Sequence, residues 1–112
     1  MKIKCFPRIF VYQMIVSGIK PYRDLPWAII SIYTTPKEIL FTDNYIQKAK
    51  DSGCVAVLNL CFADIEVPLP KEDKYKDYKL FDDSDAANII QFLLDCRGKV
   101  DHLIVHCDGV LS

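Results

Sequence analysis

Trp27-Ala28-Ile29-Ile30-Ser31-Ile32-Tyr33 carries apolar side chains at both its odd and its even positions. A strand with one face in water alternates apolar and polar residues. This run does not, so it reads as a strand buried on both faces, as in a parallel sheet covered by helices. Outward from it, Val55 to Phe62 and His102 to His106 read as two more strands, the last with Leu103, Ile104 and Val105 as its buried centre. Arg8 to Ile15 is rich in β-branched and aromatic residues, is closed by Ser17-Gly18, and reads as a further strand beside Trp27 to Tyr33.

Helical signals lie between these runs. Thr35-Pro36-Lys37-Glu38 has capping-box spacing, with Gly53 as a stop, and predicts either one irregular helix or a short turn followed by a helix. Lys71 to Lys79 is charged and reads as a solvated loop. After Phe81-Asp82-Asp83-Ser84, Ala86, Ile89, Ile90, Leu93 and Leu94 recur at helical spacing and predict one apolar face, ended by Gly98. Strands alternating with helices predict an α/β fold with a largely parallel central sheet flanked by helices.

The chain has 112 residues, enough for one core, and is expected to form a single domain. Its 51% hydrophobic and 26% charged residues are those of a globular chain, which excludes disorder as the default. Net charge is −1 with both signs interspersed, so no basic field is available for nucleic acid or an anionic membrane. No apolar run reaches the roughly 20 residues of a membrane span. Five cysteines, odd in number and without CxxC spacing, predict thiols in a reducing, cytoplasmic setting. Most such cysteines are core filler.

Cys107 stands apart because it follows an apolar strand and opens a short loop, Asp108-Gly109-Val110-Leu111-Ser112. In open parallel sheets ligands bind beyond the carboxyl ends of the strands. Inward-turned backbone N–H groups there stabilise both a thiolate and a phosphate. The segment Leu103 to Ser112 resembles the His-Cys-x5-Arg signature of protein tyrosine and dual-specificity phosphatases. Leu58-Asn59-Leu60-Cys61-Phe62-Ala63-Asp64-Ile65-Glu66, the run Leu80 to Leu93, and Ala28 to Ile32 are similar, in the same order, to segments of a bacterial branch of that superfamily.

The resemblance implies metal-free and cofactor-free phosphoester hydrolysis, acting on a phosphorylated protein or a small phosphoester. By position, Cys107 is the nucleophile and His106 buttresses the loop. Asp108, Gly109, Val110 and Leu111 form the phosphate cradle, and Ser112 helps the thiolate leave in the second step. Asp64 is expected to be the general acid because it ends a strand taken to lie beside that of Cys107. Asp82 and Asp83 are its rivals, unless they only cap the following helix. His102 is expected to be exposed and unrelated.

Two departures from the pattern bear on activity. The chain as written ends at Ser112, where the next position should carry the phosphate-binding arginine, and the C-terminal helices of the resembled fold would follow. Little turnover is expected of it in this form, and an uncovered sheet face is expected to favour self-association. Val110 also stands where the family usually has glycine. Two alternatives remain open: a non-catalytic phosphatase-like binding module, and a rhodanese-like sulfurtransferase.

Overall fold

A computed structural model of the chain describes residues 1–35, 39, 41–63 and 79–107. Within these, the elements run β1 (Lys2–Cys5), α1 (Arg8–Val16), β2 (Trp27–Tyr33), α2 (Asp43–Asp51), β3 (Cys54–Cys61), α3 (Asp83–Cys96) and β4 (His102–His106). The four strands form one sheet in the order β1-β4-β2-β3, and every pairing is parallel. The predicted α/β class and parallel sheet are therefore present. β2 is interior, and its first five residues are buried, as its unbroken apolar run requires.

The first strand differs from expectation. Arg8 to Ile15 is helix α1, and the strand is the short Lys2–Cys5 before it. A parallel sheet explains the exchange: β1 and β2 flank β4 and point the same way, so a crossover must join them, and a helix is the usual one. Pro7 sits at the N-cap with φ −63°, and Val11, Met14 and Ile15 form the buried stripe at helical spacing. The neighbours of β2 are accordingly β4 and β3.

The second helix spans Asp43–Asp51 with Thr42 at its N-cap; Pro36, Lys37 and Glu38 lie outside the described residues. Gly53, expected to stop it, follows at φ +98°, where an L side chain is strained. A Cβ there would also stand 3.2 Å from Trp27 Nε1. This tight turn matters because Trp27 Nε1 donates to the Ser52 carbonyl at 2.8 Å and Trp27 N to the Gly53 carbonyl at 3.2 Å. The start of β2 is thereby fastened to the turn that launches β3.

Helix α3 opens with a reciprocal capping box: Asp85 N donates to Asp82 Oδ1 at 2.9 Å and Asp82 N donates to Asp85 Oδ2 at 3.1 Å. Its apolar face is narrower than predicted. Ile89, Phe92, Leu93 and Cys96 pack against the sheet, whereas Ile90 and Leu94 are more than half exposed. Gly98, at φ +77°, follows the helix end.

The sheet separates two cores. α1 and α2 cover one face, where Val11, Ile15, Trp27, Ile29, Phe41, Ala49 and Ile104 meet. α3 covers the other, over Ala28, Ile30, Leu60 and Leu103. Ile3 remains 59% exposed on edge strand β1.

Candidate active site

All strands being parallel, their carboxyl ends share one rim. β4 ends there in His106, with Cys107 as the next residue. β4 is interior, flanked by β1 and β2, so the thiol emerges between Phe6 of one neighbour's end and Ile32 of the other. Phe6 N donates to the Val105 carbonyl at 3.0 Å, which extends the β1–β4 ladder to the rim. A cleft of about 90 Å³ is lined by Cys5, Phe6, Ile32, Val105, His106 and Cys107.

α1 starts at this same rim, since Phe6 lines the cleft and Pro7 caps the helix. No acidic residue occupies its first turn, so the positive end of its dipole is not offset locally. The sequence reading missed this feature because it took Arg8 to Ile15 for a strand. Pro7 was the available signal.

By the alternation along β4, His106 shares the sheet face of Ile104, opposite Val105, and it is 2% exposed. In register, Asn59 pairs with Ser31 and Ser31 with His106, so the three form a polar row across β3, β2 and β4. The Phe41 ring packs over the row, 6.0 Å from the imidazole, and its carbonyl accepts from Asn59 Nδ2 at 3.3 Å. The residue before Cys107 thus lies in the interior, at the end of this row.

Asp64, Asp108, Gly109, Val110, Leu111 and Ser112 lie outside the described residues. Asp64 nonetheless follows Ala63, which is buried and bridges to Leu80, with its N–H donated to the Lys79 carbonyl. The expectation that the strand before Asp64 adjoins the cysteine's strand is corrected here: β2 separates β3 from β4. Two strand spacings, about 10 Å, therefore divide the two strand axes.

Asp82 is the α3 cap. The Asp85 backbone N–H and then the Lys79 ammonium hold its carboxyl below the usual carboxylate range. A group kept ionised by a cap suits structure better than proton donation. Asp83 stands exposed in the first helical turn.

His102, expected to be exposed, is half-buried at the opposite end of β4, stacked on Tyr22 with ring centroids 3.9 Å apart. Its pairing with Trp27 and Lys2 draws it into the sheet. Cys5 is exposed and lines the cleft beside Cys107, whereas the other three thiols have structural settings. Burial pushes Cys54 up to about 12 and raises Cys96, and Cys61 Sγ donates to the Thr34 carbonyl at 3.6 Å. Among the described residues, no group of three or more His, Cys, Asp or Glu side chains could hold a metal ion, and no helix is long and apolar enough to cross a membrane.

Comparisons with protein-family models, with curated proteins and with solved structures gave no significant match.

Proposed function

We propose that the chain is a phosphoester hydrolase of the protein tyrosine and dual-specificity phosphatase type, acting through a cysteinyl phosphate on Cys107. The supporting observation is the position of that residue: a thiol at the carboxyl end of an interior parallel strand, preceded by a buried histidine. The first turn of α1 at the same rim adds a partial positive charge suited to an anion.

In this reading Cys107 Sγ forms a bond to phosphorus as the bond to the leaving oxygen breaks, and Asp64 protonates that oxygen. Water then attacks the thiophosphate, the S–P bond breaks, and Ser112 assists departure of the thiolate. Backbone N–H groups of residues 108–111 hold the phosphate oxygens. No metal or cofactor takes part. The substrate is a phosphorylated protein or a small phosphoester in the cytoplasm, and exposed apolar residues such as Ile3 offer a surface for self-association.

The test is p-nitrophenyl phosphate hydrolysis by the longest form of the chain that its gene encodes. Turnover abolished by Cys107→Ser supports the proposal. Transfer of sulfur from thiosulfate to cyanide, without phosphatase activity, would replace it with a rhodanese-like reading. Val110 in the place of a loop glycine favours a second reading, a phosphatase-like module that binds phosphoproteins without turnover. Retained affinity for a phosphotyrosine peptide without hydrolysis would select it.

A further inference from the structure

The polar row behind the rim contains more than a buried histidine needs for packing. Ser31 is fully buried, yet its hydroxyl makes no hydrogen bond to any described residue. Asn59, its neighbour on β3, spends its amide on the Phe41 carbonyl and leaves a buried Oδ1 without a partner. On the other side of Ser31, in register on β4, is His106. Neighbouring strands lie about 4.8 Å apart, which brings side chains at one register level within hydrogen-bonding reach. A serine hydroxyl both donates and accepts, and its rotor turns to suit its neighbour. A valine or alanine would complete the apolar column formed by Trp27 and Ile29 on the same face of β2 without burying a hydroxyl.

We infer that Ser31 is a positioning residue for His106: a turn of its side chain brings the hydroxyl against the neighbouring imidazole, where it sets the ring's orientation and tautomer and, through the peptide link to the next residue, the reactivity of the Cys107 thiol. With the hydroxyl so turned, Asn59 Oδ1 on the other side is the group to accept its proton when the oxygen accepts from the ring. The inference rests on the reading of Cys107 as the reactive thiol. It names a residue on β2, far from the loop in sequence, as part of that site.

The test compares the unaltered chain with Ser31→Ala and Ser31→Thr, reading the rate of Cys107 alkylation by iodoacetamide against pH, with the labelled site identified by peptide mass analysis. Loss of one hydrogen bond to the ring is expected to change the rate near neutral pH by about three- to tenfold. Ser31→Thr, which keeps the hydroxyl, should restore the profile. A merely structural serine would alter thermal stability while leaving the pH profile of Cys107 in place. Identical profiles for the unaltered chain and Ser31→Ala overturn the inference.

A second measurement needs no variant. Long-range proton–nitrogen NMR of the unaltered chain should show His106 in one fixed tautomer, with the Ser31 hydroxyl proton slow to exchange and close to the ring. A ring averaging between tautomers, or a rapidly exchanging hydroxyl, would also overturn it. Alkylation does not depend on turnover. A shifted profile, with no phosphatase activity in the longest form that the gene encodes, therefore keeps the positioning role and removes the phosphatase reading, and the reverse result removes only the positioning role.

Discussion

Replacing Asp85 with alanine should loosen both the start of α3 and the far end of the segment that follows Ala63. The Asp85 carboxylate is 8% exposed; it accepts from the Asp82 backbone N–H at 3.1 Å and from the Lys79 ammonium. A hydrogen bond to a charged group contributes about 1.5–3 kcal/mol. The ion pair with half-exposed Lys79 adds at most about 1 kcal/mol. Recovery of solvation at a site close to the surface offsets part of both, so the expected loss is about 2 kcal/mol. Urea unfolding of the variant should show it as a lower midpoint at unchanged slope.

Because the Lys79 carbonyl accepts from Ala63 N and Leu80 bridges to Ala63, exchange of the Ala63 amide should also quicken. The pH dependence has a definite sign. Asp82 is held below the ordinary carboxylate range, chiefly by the Asp85 backbone N–H, so its contribution is present above that range and is lost as pH falls through the folded value. Hydrogen bonding to Asp85 raises Lys79, so its contribution is present below the ordinary lysine range and is lost as pH rises through the folded value. Asp85→Ala should flatten the alkaline limb, which depends on its carboxylate, and leave most of the acid limb, because alanine keeps the backbone N–H that holds Asp82. A loss under about 0.5 kcal/mol, the scatter of ordinary surface substitutions, together with an unchanged Ala63 amide, would refute the reasoning.

Three further outcomes are expected. Ile104→Ala empties a fully buried position in the centre of β4 and should cost about 2–5 kcal/mol in chemical unfolding. Gly53→Ala combines a φ of +98° with a Cβ 3.2 Å from the Trp27 indole, and should lower stability by about 1–3 kcal/mol with a changed tryptophan emission; an unchanged midpoint would show that the turn relaxes freely. Cys54, buried and pushed up to about 12, should resist alkylation at mildly alkaline pH until the chain is unfolded, which timed mass analysis of the labelled peptides would reveal.

The sequence made the interior of the sheet plain and its edge obscure. Trp27 to Tyr33 and His102 to His106 are strongly apolar runs, and both became interior strands at the predicted positions. Lys2–Cys5 is exposed at all four residues, with no apolar run to betray it. Its lysines are of the kind that protect an edge from pairing with another chain. Arg8 to Ile15 misled because β-branched content reflects a weak preference, which the need for a crossover between β1 and β2 overrode.

The candidate site was legible at His106-Cys107, where strand and thiol adjoin in sequence. It was not legible where the sheet order decides. That order places β2 between the strand leading to Asp64 and the strand of Cys107, and sets Ser31 beside His106, neither of which follows from spacing along the chain. The capping role of Asp82, by contrast, could be read from Asp82 and Asp85 three residues apart ahead of an apolar helix.

The most direct test of the account is to look for phosphorus on Cys107. The longest form of the chain that the gene encodes, and its Cys107→Ser variant, would be mixed with p-nitrophenyl phosphate, quenched in acid during turnover and weighed by intact and peptide mass spectrometry. The account predicts one phosphoryl adduct on the peptide that contains Cys107, and neither adduct nor turnover in the variant. Turnover that persists in Cys107→Ser, an adduct on another residue, or no adduct and no turnover in the unaltered form would contradict it.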